Sequence, residues 1–201
     1  MRQLLRVVAL ALAAAAGAPT PALAQSPDSA LPYGGAEMLR FQAPAGWGVV
    51  HTDEGEALRV LHMMPEGQQP GDWRDMITVQ VLKTTAPPTL AALHARAVAS
   101  YEADCEQKLG GAPQYGDTNG FETAFWTLGC SRNRRTGHGE TAFFKAVRGL
   151  EGVYVMQRAW RVAPFDPAAG PGISPEDQRL AVSVLQGATV CIPDSRAHPC
   201  P

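Results

Sequence analysis

Alternating hydrophobic and polar positions run through much of this chain and predict β-strands. The clearest case is residues 75–83, where one face carries Ile77, Val79 and Val81 and the other carries Met76, Thr78, Gln80 and Leu82. β-Branched residues at a period of two are typical of a strand. The same pattern predicts further strands at residues 38–41, 47–52, 57–64, 121–130, 140–148 and 153–162.

Two other segments carry apolar residues at helical spacing. The first follows Pro87-Pro88-Thr89 and is predicted to run to about Lys108, with Gly110-Gly111 as the stop. Its apolar stripe is Leu90, Leu93, Ala97, Tyr101 and Cys105. The second has Ser174 as N-cap, Pro175 at the first helical position and Gly187 as its end. Its predicted buried stripe is Leu180, Ala181, Val184 and Leu185.

The order of these elements predicts an α+β fold. Most consecutive strands are joined by short links, which favours antiparallel pairing because a parallel crossover needs about a dozen residues. We therefore expect a mainly antiparallel sheet of about six to seven strands packed against two helices. Residues 38–201 are predicted to form a single domain.

The N-terminal residues have the pattern of a secretory signal peptide. Arg2 and Arg6 precede an apolar run, and Ala22-Leu23-Ala24 offers a small-x-small cleavage site. We predict a signal peptide at residues 1–24 and a flexible arm at residues 25–37, which is rich in Ser, Pro and Gly. The predicted location is the periplasm or the exterior, and the cleaved protein is not expected to span a membrane.

Export determines how the four cysteines are interpreted, because an oxidising compartment favours disulfides. Three pairings are possible. We favour Cys105 with Cys130 and Cys191 with Cys200, since each pair closes a short loop. A zinc site formed by Cys191, His198 and Cys200 is the alternative for the tail, with thiolate and imidazole as suitable ligands. The chain has no C-x-x-C motif, which favours disulfides over both zinc and thiol redox chemistry.

Composition and motifs give little support to catalysis. The formal net charge is −2 at pH 7, which argues against a nucleic-acid binder. The G-x-S-x-G elbow of many hydrolases is absent. His51 and His62 fall on adjacent predicted strands and could face each other, but two histidines make an incomplete metal site. We predict no catalytic residue, no metal and no cofactor. The alternative is an envelope metal-binding protein or a hydrolase that uses His and Cys residues.

Two loops are candidate binding surfaces. One contains Arg132, Arg134, Arg135 and His138, whose cationic groups could meet a phosphate, a carboxylate or an acidic protein face. An ordinary solvated hairpin loop is the alternative. The other loop, residues 68–73, ends at Trp73, which is expected either as an exposed recognition residue or as a core anchor. The predicted partner is an envelope protein or a small anionic ligand.

Two short motifs resemble known proteins. Phe41-x-x-Pro44-x-Gly46-Trp47, followed by paired strands, a helix and a second meander, resembles the PsbP-like fold, an antiparallel sheet between helices. Asp72-Trp73-x-x-Met76-Ile77-Thr78-Val79-Gln80 and the terminal His198-Pro199-Cys200-Pro201 resemble a group of small exported bacterial proteins of unassigned function. These resemblances imply a noncatalytic accessory or binding domain, and neither supplies a site residue.

Overall fold

The structure, a computed structural model, describes residues 28–32, 36–84 and 86–201. The predicted signal peptide at residues 1–24 lies outside the described residues, and so do residues 25–27 and 33–35 of the predicted arm. Asp28–Pro32, which the sequence analysis placed in that arm, forms a strand.

The described residues form eleven strands and two helices. In chain order the strands before the first helix are β1 Asp28–Pro32, β2 Met38–Gln42, β3 Trp47–Glu54, β4 Leu58–Pro65 and β5 Asp75–Lys83. After helix α1, Leu90–Asp104, come β6 Lys108–Gly110, β7 Gln114–Thr118, β8 Phe121–Cys130, β9 Gly139–Arg148 and β10 Gly152–Val162. Helix α2, Pro175–Gly187, and strand β11, Thr189–Cys191, complete the order.

The strands form one large and one small antiparallel sheet. The large sheet has the order β3-β4-β5-β10-β9-β8-β6, with β7 also pairing to β8. The small sheet has the order β1-β2-β11. The prediction of an α+β fold with a mainly antiparallel sheet and two helices is confirmed for the described residues, and the large sheet has eight strands where six to seven were expected.

Strand β2 belongs to the small sheet, although the sequence analysis treated it as part of one main sheet. Leu39 pairs with Val190 of β11 and, on the other side, with Leu31 of β1. Leu39 and Phe41 are both buried against the core. Period-two alternation shows that one face of a strand is buried, but it does not show which sheet the strand joins.

Besides β1, three short strands were missed by the sequence analysis. Strands β6, β7 and β11 contain three to five residues each, too few for a period to be recognised. The β7–β8 connection did carry a usable pattern: Asn119-Gly120, both at positive φ, forms a two-residue hairpin turn, since Thr118 pairs with Phe121.

The two faces of the large sheet are covered differently. The closed face, which carries Ile77, Val79 and Val81 of β5, packs against α2 and the small sheet in one apolar core. The open face, which carries Thr78, Gln80 and Leu82 of β5, meets α1, and α1 packs mainly on β8 and β9. Helix α1 therefore leaves the part of the open face over β3, β4 and β5 largely uncovered.

Helix α1 begins as predicted but ends earlier. Thr89 is the N-cap, and its Oγ1 accepts a hydrogen bond of 3.1 Å from the Ala92 amide. The helix stops at Asp104, not near Lys108, because Cys105 adopts extended backbone angles. At this position Cys105 forms an isolated antiparallel β-bridge with Asn133 through the backbone, and its side chain forms a disulfide with Cys130.

Helix α2 confirms the predicted cap. The Ser174 hydroxyl accepts a hydrogen bond of 3.0 Å from the Asp177 amide, and Pro175 occupies the first turn. Ala181 and Leu185 are fully buried as expected. Leu180 is 44 % exposed, so its place in the predicted stripe was wrong. No helix among the described residues has both the length and the apolar character needed to cross a bilayer.

Candidate functional site

A row of side chains crosses the open face of the large sheet. In register, His51 pairs with His62, His62 with Thr78, Thr78 with Gln157, Gln157 with Phe144, and Phe144 with Trp126. Paired residues project to the same side of a sheet, so this row runs continuously over six strands. Helix α1 covers the Phe144–Trp126 end and not the histidine end.

Aromatic contacts hold α1 on the sheet. His94 packs edge-on against Trp126 with ring centroids 5.6 Å apart, and Tyr101 meets Phe144 in the same way at 6.5 Å. Trp126 and Phe144 are themselves stacked, 5.1 Å apart and 9° from parallel. His94 lies next to Leu93 and outside the apolar stripe of the sequence pattern, yet its Nε2 is buried and has no hydrogen-bond partner in the described part of the chain.

A half-open cleft of about 320 Å³ lies between α1 and the sheet. That volume is at the lower end of the range for small-molecule sites, roughly 300–1,000 Å³. The strand residues that line it are Thr78, Gln80, Leu82, Val155, Gln157, Trp126 and Phe144, and the helix residues are Leu93, Arg96, Ala97, Ser100 and Tyr101. Most of the lining is apolar, with a few polar groups, which is the composition expected of a binding site.

The polar groups of the cleft have no partners within the described residues. The side chains of Gln80, Gln157 and Ser100 make no intramolecular hydrogen bond there, and Arg96 makes no ion pair. The indole Nε1 of Trp126 is buried without an acceptor. Of these groups the indole N–H is buried, Gln80 and Gln157 are partly exposed, and Arg96 and Ser100 are exposed, so all of them are available to a bound molecule or to water.

The histidine pair lies at the uncovered end of the row. The rings of His51 and His62 are 5.3 Å apart, as the sequence analysis expected for facing residues on adjacent strands. Burial lowers the pKa of His62, and the neighbouring His51 lowers it further. The described residues contain no group of three or more His, Cys, Asp or Glu side chains that could hold a metal ion. The pair therefore lacks the additional protein ligands that a zinc site requires.

The arginine-rich loop lies at the C-terminal end of α1. The Arg134 guanidinium donates to the Ala103 carbonyl at 3.0 Å, and the Arg134 amide donates to the Asp104 carbonyl at 2.8 Å. Arg132 is 3.9 Å from Glu106. Arg134 therefore contributes to the end of a helix, where a cation is favourable.

The other two cations of that loop are exposed. Burial raises the pKa of Glu140, and the positive charges of Arg135 and His138 are among the nearby cations that offset part of this rise. The loop itself is organised by Asn133, whose Oδ1 accepts from the Arg135 and Thr136 amides. The sequence analysis did not single out Asn133, although Asn is a typical residue for this kind of turn.

Trp73 is 8 % exposed and is a core anchor, not an exposed recognition residue. The Arg161 guanidinium lies 4.1 Å from the centroid of its ring. Cation–π contact of this kind is favourable at a partly desolvated position. Of the two alternatives left open by the sequence, the structure supports the core anchor.

The C-terminal tail is held against the domain by a disulfide, a ring contact and hydrogen bonds. The structure contains the Cys191–Cys200 disulfide as well as Cys105–Cys130. His198 stacks on Phe121 with centroids 4.0 Å apart, and its Nδ1 lies 2.8 Å from the Asn119 carbonyl oxygen. Since both tail sulfurs are bonded to each other, they are not available as zinc ligands in this state.

Two buried cations on the closed face escaped the sequence analysis. Arg158 is 2 % exposed and pairs with Asp75 through two hydrogen bonds, of 3.2 and 2.8 Å. Lys145 donates to the carbonyl oxygens of Gln186 and Ala188 at the end of α2, and burial lowers its pKa to about 8. Both residues sit on the inward side of the strand alternation, and that position could have identified them.

Comparison with known proteins supports the fold and assigns no family. No protein-family model matches the sequence, and no curated protein is detectably similar to it. Among solved structures, the Ran-binding protein Mog1p of Saccharomyces cerevisiae matches with a TM-score of 0.50 and 10 % identity, over 86 % of this chain and 99 % of that chain. The chain has the fold of Mog1p. This likeness is consistent with the PsbP-like resemblance.

A second solved structure is more distant. LpqN of Mycobacterium tuberculosis, described as involved in cell envelope biogenesis, matches with a TM-score of 0.44 and 15 % identity, over 83 % of this chain and 91 % of that chain. At 10 % identity, the likeness to Mog1p bears on the fold and not on the chemistry of any residue.

Proposed function

We propose that this chain is a noncatalytic binding or accessory protein of the cell envelope, exported by residues 1–24, and that it binds through the open face of its large sheet. The observation that carries the proposal is the cleft beside α1, whose unpaired polar groups surround an apolar floor. A cleft with these properties is the standard candidate for a ligand site.

Export is supported by two independent features. The N-terminal pattern of Arg2, Arg6 and an apolar run is that of a signal peptide. The two disulfides fit an oxidising compartment, which in bacteria means the periplasm or the exterior. In the proposed mature chain, residues 25–27 precede β1, Asp28–Pro32, which pairs with β2 in the small sheet.

A binding role is supported by what the candidate chemistry lacks within the described residues. The four cysteines are bonded in pairs, so they offer no thiol nucleophile. The His51–His62 pair has no third ligand. Mog1p, which shares the fold, is a Ran-binding protein, so this architecture is compatible with binding another protein. The proposed partner here is an envelope protein or a small anionic ligand, and not a nucleic acid.

The test measures where the protein is found in the cell and whether a molecule is bound in its cleft. We expect the exported protein to be recovered from the envelope fraction, cleaved after Ala24 and with no free thiols under denaturing conditions. Native mass spectrometry of that protein should show a bound molecule that is lost in the Val155→Trp variant, which fills the cleft. Leu150→Trp is the matched control, since Leu150 is 71 % exposed in a hairpin turn. Retention in the cytoplasm would disprove the envelope assignment.

The exposed part of the arginine-rich loop is a second candidate surface for an acidic partner. Because Arg134 is tied to the end of α1, the informative change is Arg135→Gln, which removes a charge without disturbing that helix. Partner recovery by crosslinking from envelope extract should fall in Arg135→Gln and remain in Arg179→Gln, a control on α2. Equal recovery from both variants would reject the loop.

A further inference from the structure

The chemistry of the cleft specifies the kind of molecule that it can hold. We propose that the cleft between α1 and the open face binds a small planar aromatic acid, with the ring between the sheet and α1 and the carboxylate at Arg96. The inference rests on the proposed function and deepens it, because it names the ligand class of the same site.

Size limits the occupant to a small molecule. About 320 Å³ is enough for a one- or two-ring compound and too little for a folded peptide segment. The cleft is half open, so one end of a bound molecule can remain in contact with water while the other is enclosed. An amphipathic molecule fits this arrangement, with its apolar end against the sheet.

The charge of the cleft indicates that the polar end of the bound molecule is negatively charged. Among the described residues, Arg96 is the single charged residue that lines the cleft, and no carboxylate lines it. On its own helix, the positions three and four residues away are Leu93, Ala92, Ala99 and Ser100, so none can neutralise it. Arg96 also forms no ion pair with any other described residue. An arginine in this state favours a carboxylate, which it can bind with two parallel hydrogen bonds.

Shape favours a planar apolar end. One end of the cleft is formed by the stacked rings of Trp126 and Phe144, with Tyr101 edge-on to Phe144. Leu82 and Val155 supply a flat strand surface beside them. Aromatic rings prefer offset-stacked or edge-on neighbours, and three aromatic side chains line this site. The buried Trp126 Nε1 and the two glutamine amides provide further donors for an anionic or carbonyl oxygen.

Three probes separate the elements of this proposal: naphthalene carboxylate, naphthalenemethanol as its neutral analogue, and octanoate as an aliphatic acid. Binding to the exported, oxidised protein is measured by calorimetry and by quenching of tryptophan fluorescence. We expect one molecule of naphthalene carboxylate per chain, with the neutral analogue and octanoate each at least about tenfold weaker. Failure of naphthalene carboxylate to bind, or equal binding of the neutral analogue, would overturn the proposal. Tighter binding of octanoate would also overturn it.

Variants place the probe in the cleft. Arg96→Gln should weaken naphthalene carboxylate by about tenfold and leave the neutral analogue unchanged. Arg179→Gln removes an exposed arginine from α2 and should change neither. Val155→Trp should abolish binding, and Ala97→Trp fills the cleft from the helix side if the first variant unfolds. Unchanged affinity in Arg96→Gln would show that the acid binds elsewhere.

The ligand class and the proposed function fail in different ways. If the native protein carries a bound molecule that Val155→Trp removes, but none of the aromatic acids competes with it, the binding function stands and the ligand class is wrong. If no molecule is carried and no probe binds, the cleft is not a binding site, and both assignments to it fall together.

Discussion

The closed and open faces of the large sheet are formed by the same strands, yet their polar side chains differ in whether they have hydrogen-bond partners within the protein. On the closed face, Arg158 and Lys145 are buried and their hydrogen bonds reach Asp75 and the end of α2. Gln157 is next to Arg158 in the chain but lies on the open face. Its side chain lines the cleft and has no hydrogen-bond partner among the described residues. The closed face gives its buried cations acceptors within the protein, apart from Arg158 Nη1, which has none among the described residues, whereas the open face leaves polar groups available to a ligand.

The sharpest comparison is between two adjacent residues of β10. Arg158→Leu should lower the free energy of unfolding by about 3–5 kcal/mol, because it removes the two hydrogen bonds that pair a buried guanidinium with the partly buried Asp75 carboxylate. Gln157→Leu should change it by less than about 0.5 kcal/mol, since a partly exposed amide without partners is lost. Urea unfolding of the two variants measures both values. Similar losses in the two would show that the faces do not differ in this way.

The two disulfides fasten opposite sides of the sheet. Cys105–Cys130 joins the end of α1 to β8 across 25 residues, and Cys191–Cys200 closes 9 residues of the tail. Replacing each pair by alanine should cost about 3.5 kcal/mol for the first and about 2.7 kcal/mol for the second, from loop-closure entropy. The first double variant should also lose affinity for naphthalene carboxylate, because α1 forms one wall of the cleft. Loss of that affinity from the tail variant alone would contradict the comparison.

The helices that cover the two faces provide a third test. Leu185→Ala removes a fully buried side chain between α2 and the closed face, and a loss of about 2–5 kcal/mol is expected. Leu93→Ala changes a residue that already borders the cleft, so we expect a smaller loss, about 1–2 kcal/mol. Thermal and urea unfolding provide the measurement. A larger loss for Leu93→Ala would place the main core on the open face.

The pH dependence of stability provides a fourth test. Burial lowers the pKa of Lys145 to about 8, below its usual value of 10.5, so the unfolded chain holds more protons than the folded chain between these values. This residue therefore contributes a rise in stability as pH increases from about 8 towards 10. Lys145→Met should remove that rise. The measurement is urea unfolding at several pH values, and an identical slope in the variant would refute the assignment.

Sequence patterns recovered the large elements but not the site. The long strands, the Ser174 cap and the α+β class follow from local periodicity and turn chemistry, which are properties of neighbouring residues. The cleft depends on where α1 lies across the sheet, and it combines Arg96 with Gln157, which are far apart in the chain. The arginine-rich loop stood out in the sequence because its charges are adjacent, yet Arg134 is occupied at the end of α1.

Glu37, which immediately precedes β2, is fully buried, and its burial has a consequence for the order in which the molecule folds. Its carboxylate accepts hydrogen bonds from the Leu150 and Glu151 amides, in the turn between β9 and β10, across 113 residues of chain in the first case. That turn is a local hairpin and can form early, whereas so distant a contact carries a large loop-closure cost. We expect amides of β2 to gain protection from hydrogen exchange after those of β9 and β10 during refolding. In that order of events, the small sheet forms after the large sheet and packs onto it.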